Sequence, residues 1–141
     1  GLTVQLNGRF ARTRTSNPNR DFTNNLVHAL PGAPSTSAGA LVSWEREIRE
    51  DWRLNLLGQV NYVGSSHVSF DAAAPKTGGY IRSKISAELV GDRYGVQVFV
   101  LNPFDSLNDT FAFGNPFNPN QIRQITPLRP RTLGVTVSAA F

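Results

Sequence analysis

Apolar and polar residues alternate with a period of two along most of the chain. Leu2, Val4, Leu6 and Phe10 share one parity, with Gly8 between them, and Thr3, Gln5, Asn7 and Arg9 hold the other. Ala40, Val42, Trp44 and Ile48 oppose Ser43, Glu45 and Glu47, with Arg46 interrupting the apolar series. Trp52, Leu54, Leu56, Val60 and Tyr62 oppose Arg53, Asn55, Gln59 and Asn61. Ile81, Ile85, Ala87 and Leu89 oppose Arg82, Lys84, Ser86 and Glu88, and Tyr94, Val96, Val98 and Val100 oppose Gly95 and Gln97. Leu133, Val135, Val137, Ala139 and Phe141 close the series against Thr132, Gly134, Thr136 and Ser138. Successive side chains of a strand point to opposite faces of a sheet, so this alternation predicts strands. Six are expected, near residues 2–13, 38–49, 52–64, 80–90, 94–102 and 131–141.

Several of these segments are longer than the five or six residues usual in soluble sheets. They match the roughly 9–11 residues of a tilted membrane-crossing strand. The connections also sort by length. Arg49-Glu50-Asp51 and Gly91-Asp92-Arg93 are tight turns of suitable chemistry. The segments 14–37, 65–79 and 103–130 are long and rich in Asn, Pro, Ser, Thr and Gly. Short turns at one end and long loops at the other are the arrangement of outer-membrane barrels, with periplasmic turns and extracellular loops. With the short turns periplasmic, the last strand runs downward and Phe141 ends in the periplasm. Trp52 and Tyr94 begin strands just after the turns, Tyr62 lies near a loop end, and Tyr80 follows a long loop. These four are expected to form aromatic girdles at the two interfaces. The reading that competes with a membrane barrel is a soluble β-sandwich binding module.

Composition narrows the classes. The chain has 141 residues, 40% hydrophobic and 17% charged, against about a quarter charged in ordinary soluble domains. There is no Cys, which excludes a disulfide scaffold, a thiolate metal site and a Cys nucleophile. Apolar runs reach only about four residues, far short of the roughly 20 of a spanning helix. The N-terminus has neither the charged nor the apolar region of a signal peptide, and Gly1 is read as a processed or cut end. The net charge of +4 comes from 12 Arg and 2 Lys. They are scattered along the chain with no basic run, so nucleic acid is not an expected partner.

Two segments carry a family resemblance. Val98-Phe99-Val100-Leu101-Asn102-Pro103-Phe104-Asp105 looks like the end of a penultimate barrel strand with its Asn-x-Phe-Asp turn. After a long loop, Arg129-Pro130-Arg131-Thr132-Leu133-Gly134 opens an alternating strand that ends at Phe141. Together they resemble the last strands of TonB-dependent outer-membrane receptors. The resemblance implies an all-β, antiparallel up-and-down transmembrane barrel segment of about six strands, belonging to a larger barrel of about 22. It implies energy-coupled uptake of a scarce nutrient, namely a ferric siderophore, a glycan or a cobalamin-like ligand. It also implies Phe141 as the signal read by the barrel-assembly machinery. The implied partners are outer-membrane lipid and lipopolysaccharide, the rest of the barrel and its plug, and, through the plug, the inner-membrane energy-coupling complex. No plug is present in this chain, so residues 1–141 are read as the C-terminal portion of such a barrel, as a fragment or one chain of a split receptor. A passive porin or an autotransporter translocator would share the same wall.

Catalytic chemistry is not indicated. No nucleotide-binding, metalloprotease or nucleophile-elbow motif occurs. His28 and His67 lie in different long loops without metal-ligand spacing, and Ser66-His67 with Asp71 has no triad geometry implied by its spacing. Asp105, Asn108 and Asp109 suit turns better than a calcium site. No cofactor is expected. Ligand contacts are assigned to the extracellular loops at Arg20, His67, Phe111 and Phe113, and loop packing is the expectation for Phe104, Phe111, Phe113 and Phe117. Arg9, Arg12 and Arg14 approach the long-loop end of the first strand, where guanidinium groups could bind lipopolysaccharide phosphates or another anion bidentately. Replacing all three by Gln is expected to leave the barrel folded and to weaken association with purified lipopolysaccharide. Unchanged association would remove that role.

Overall fold

The computed structural model describes residues 1–16, 27–113 and 124–140, with the side chains of 111–113 and 124 excepted. The described residues form ten strands and no helix: β1 (Leu2–Phe10), β2 (Thr36–Arg49), β3 (Trp52–Val63), β4 (Ser66–His67), β5 (Lys76–Thr77), β6 (Tyr80–Gly91), β7 (Tyr94–Leu101), β8 (Asp109–Phe113), β9 (Gln124–Pro127) and β10 (Thr132–Ala139). The six expected strands are all present. They make one antiparallel sheet in the order β1-β2-β3-β6-β7-β10, so each long strand pairs with its neighbours in sequence. The other four strands form two small hairpins, β4–β5 and β8–β9, inside segments read from the sequence as loops. The sheet is open, with β1 at one edge and β10 at the other.

Register follows from the two tight turns. Arg49 pairs with Trp52 across Glu50-Asp51, with a register shift between Glu47 and Arg49, and Val90 pairs with Gly95 next to Asp92-Arg93. With register set, the alternation aligns across strands, because a one-residue slip would send every side chain to the opposite face. One row runs Leu2, Trp44, Leu56, Ala87, Val98, Val135, and the next runs Val4, Val42, Gly58, Ile85, Val100, Leu133. All lie on one apolar face.

Nothing in the described structure covers that face. Leu6 is 78% exposed, Phe10 87%, Val98 49% and Val137 71%. Among the described residues, the buried hydrophobic ones are Ala74, Tyr80 and Leu128, all beside the long connections rather than across the sheet. An ordinary sheet-on-sheet domain places its core between two facing sheets. Among the described residues, this sheet has no second layer.

The described parts of the long connections are tied to one another by hydrogen bonds. Gly32 N–H donates to His67 O (2.9 Å) and Val27 N–H to Phe70 O (2.7 Å), tying the first to the second. Asn108 Nδ2 donates to Gly79 O (3.3 Å), tying the third to the second. The turn after β7 is the tightest of these devices. Asp105 N–H donates to Asn102 O (2.9 Å), and both residues have a φ of 50°. Asn, and less often Asp, adopts this left-handed conformation more readily than bulkier residues do. Asn102 is 5% exposed, and its side chain is fully used. Its Nδ2 donates to Ser106 O and to Arg129 O, both 3.0 Å, and its Oδ1 accepts from Ser106 N–H at 3.0 Å. Asp105 Oδ1 accepts from Arg131 N–H (3.0 Å). The Asn-Pro-Phe-Asp segment thus clamps the exit of β7 to the start of β10.

Removing one partner of a buried hydrogen bond costs about 1–3 kcal/mol. Asn102→Asp keeps the size but loses both donated bonds. It should lower stability by about that amount in a denaturant titration, whereas Asn108→Asp, at an exposed site, loses only the long bond to Gly79 O, keeps its bond from Asp109 N–H and should change little.

Candidate functional site

The face opposite the apolar one carries the side chains capable of chemistry. Its rows read Asn7, Gly39, Asn61, Arg82; then Gln5, Leu41, Gln59, Lys84, Leu101, Thr132; then Glu45, Asn55, Glu88, Gln97, Thr136. Arg53 Nε sits 3.1 Å from Glu45 Oε1, both side chains about half exposed. Asn55 Nδ2 donates to Glu88 Oε2 (3.3 Å), while Asn55 Oδ1 is buried with no partner in the described structure. Ser43, Asn55, Lys84, Ser86, Glu88 and Gln97 help to line a shallow concavity of roughly 190 Å³ in the middle of this face. The arrangement is an open wall of mixed charge, with donors and acceptors of both signs and no enclosed chamber.

Two ring contacts organise the sheet. Phe99 lies over Gly134 on the neighbouring β10, where any Cβ would collide with the ring, and Lys84 Nζ stands 5.8 Å from the ring centroid. That distance is within cation–π range. On the apolar face, the Trp52 ring lies against Gly91, where a Cβ would sit 3.2 Å from three ring atoms. In both places glycine admits close ring packing across a strand pair.

The sequence-derived sites fare unevenly. Trp52, Tyr94 and Tyr62 are on the apolar face and partly exposed, Trp52 and Tyr94 at the turn end and Tyr62 at the long-loop end. Tyr80 does not join them. It pairs with Val63, lies on the polar face and is 8% exposed, so its place in a lipid-facing girdle is corrected. Its even number gives it the parity of Arg82 and Lys84, a signal already present in the sequence. His67 is in β4 opposite Lys76, its carbonyl engaged by Gly32 and its Nδ1 buried without a partner. Arg9 lies on the polar face beside Ser37, and Arg12 and Arg14 extend beyond β1, exposed. None of the three forms an ion pair among the described residues.

Phe104 is 71% exposed, contrary to the expected loop packing. The backbones of Phe111 and Phe113 are in β8, paired with Thr126 and Gln124. Arg20, Phe117 and Phe141 lie outside the described residues. Asp105 is a turn residue and Asn108 lies in the connection before β8, whereas Asp109, expected in a turn, opens β8 opposite Pro127. Asn108 Oδ1 accepts from Asp109 N–H (2.9 Å), and Asp105 holds Arg131 as described above. No group of three or more potential metal ligands gathers among the described residues. Sequence reading missed the Lys84–Phe99–Gly134 stack and the clamping role of Asn102, because both depend on cross-strand register.

No protein-family model, curated protein or solved structure matches the chain. The functional reading therefore rests on the geometry and the quoted sequence segments.

Gly134→Leu should expel the Phe99 ring from its seat and lower the unfolding midpoint, since overpacking typically costs about 1–3 kcal/mol. Pairing it with Phe99→Ala should recover part of that loss, measured as a double-mutant cycle.

Proposed function

We propose that this chain is the C-terminal wall of a TonB-dependent receptor barrel in the outer membrane, serving energy-coupled uptake of a scarce nutrient. The observation that carries the reading is an ordered sheet whose apolar face has no protein cover among the described residues. A face of this extent on a water-soluble protein would be an aggregation hazard, whereas hydrocarbon covers it at no cost. The height of the face fits the same solvent. Trp52 and Tyr62 lie ten residues apart on β3 and on the same face. That is about 33 Å along a strand at 3.3 Å per residue. At a strand tilt of about 40° it becomes roughly 25 Å, the height of the apolar band between aromatic girdles.

The open edges set a second condition. Backbone groups on the free sides of β1 and β10 would each cost several kcal/mol if left unpaired in lipid. Closure therefore requires further strands, supplied by the rest of the receptor. Within that assembly the polar face lines the lumen and meets the plug, the turn end faces the periplasm, and the long connections face outward toward lipopolysaccharide. The turn and strand segments Asn102–Asp105 and Arg129–Gly134 favour a receptor over a passive porin or an autotransporter translocator, and an upstream plug domain is the feature that separates them. The coupling partner is the inner-membrane energy complex acting through that plug. The ligand class stays as the resemblance implies it: siderophore, glycan or cobalamin-like.

The decisive experiment isolates the natural protein containing this sequence from an outer-membrane fraction and compares boiled and unboiled samples by electrophoresis. A species several times heavier than 15.4 kDa that migrates faster unboiled supports the reading. A water-soluble species of 15.4 kDa in the absence of detergent overturns it. In the same protein, Val98→Arg in the middle of the apolar face should destabilise the barrel by about 2–4 kcal/mol, as expected for a cation at the bilayer midplane. Gln97→Arg, one residue away on the polar face, should leave folding nearly unchanged.

A further inference from the structure

At the long-loop end the sheet has a notch. β7 stops at Leu101, opposite Lys84, while β6 continues back to Tyr80. The first residues of β6 therefore lack a β7 neighbour, and the chain around the β8–β9 hairpin takes its place. Asn102 N–H donates to Ser83 O (2.8 Å), and Asn108 Nδ2 reaches Gly79 O. Between sheet and hairpin lies a cavity of roughly 380 Å³, lined by Arg82, Ser83 and Leu101 on one side and by Thr110, Thr126 and Arg129 on the other. This is within the size range of small-molecule sites, about 300–1,000 Å³.

Two arginines, Arg82 and Arg129, line this cavity, and neither forms an ion pair with a described carboxylate. Asp109, the acid adjacent to Thr110, does not line it. Thr110 Oγ1 donates to Thr126 O (2.9 Å), which leaves the Thr110 oxygen able to accept and the Thr126 hydroxyl uncommitted. Two arginines lining one cavity, with the Thr110 and Thr126 hydroxyls and no counter-ion among the described residues, form a donor-rich site suited to an anion. Arg presents a planar fork that pairs bidentately with phosphate or carboxylate.

We propose that Arg82 and Arg129 form a binding site for the oxyanion group, phosphate or carboxylate, of a small solute at the long-loop mouth of the polar face. The inference rests on reading that face as the lumen, and it narrows the transported ligand to one bearing such a group. Arg82 shares its face with Asn61 and Lys84, away from Tyr62 and Ile81 on the apolar side. That placement favours a solute over a lipopolysaccharide phosphate.

The test uses the full natural protein in detergent micelles, titrated calorimetrically with inorganic phosphate and with citrate, and separately assayed for association with purified lipopolysaccharide. The expected result is saturable binding of at least one anion, weakened about tenfold or more in the double variant Arg82→Gln/Arg129→Gln, as loss of charge-assisted hydrogen bonds implies. Arg93→Gln, at the opposite end of the sheet, should leave it unchanged, as should lipopolysaccharide association in the double variant. Absence of binding by the unaltered protein, or unchanged affinity in the double variant, overturns the proposal. So does a variant that loses lipopolysaccharide association while keeping its anion affinity. The unboiled electrophoretic band of each sample reports separately whether the barrel is folded, so failure of the wall reading and failure of the anion site give different results.

Discussion

A continuous apolar face with no layer against it among the described residues is the constraint on which the rest of this structure depends. Hydrophobic burial is the main favourable contribution to folding, and a soluble domain gains it by packing one layer on another. Here Leu2, Val42, Leu56, Val98 and Val135 point away from everything else in the described chain. The backbone is saturated by cross-strand pairing within the sheet and exposed at its two edges. A sheet of this kind is stable where apolar solvent meets the face and further strands meet the edges. Both requirements lead to a larger closed barrel in a membrane, the proposal advanced for this chain.

The two ends of the sheet are built by different means. At the turn end, two-residue connections and the Trp52 ring over Gly91 hold neighbouring strands in register. At the other end the chain makes long excursions, and their order comes from backbone bonds between them together with the buried Asn102 side chain. That residue joins β7, its following turn and the approach to β10 through three side-chain hydrogen bonds. The notch between the sheet and the β8–β9 hairpin exists because β7 is shorter than β6, and the chain that Asn102 clamps in place forms its far wall.

Much of this architecture was legible in the residues. Alternation located all six long strands, and Glu50-Asp51 and Asp92-Arg93 marked the tight turns, because period and turn chemistry are local properties. Parity alone assigned Trp52, Tyr62 and Tyr94 to the apolar face. The same parity places Tyr80 on the other face, and position after a loop was the weaker guide. The β4–β5 and β8–β9 hairpins escaped notice because strands of two to five residues carry too few alternations to register as a pattern.

The sequence by itself determined the six long strands, the separation of apolar from polar side chains and the end at which the long connections gather. Each of these follows from the order of side chains along one strand or turn. Only the tertiary structure decided which residues meet across strands: Phe99 over Gly134, Asn102 against Arg129, Arg82 beside the hairpin that carries Thr126. Those contacts depend on register and on where one strand ends relative to its neighbour, quantities set by pairing between segments distant in the chain. The absence of a covering layer among the described residues is likewise a property of the folded sheet, and it is the feature that gives the alternating pattern its meaning.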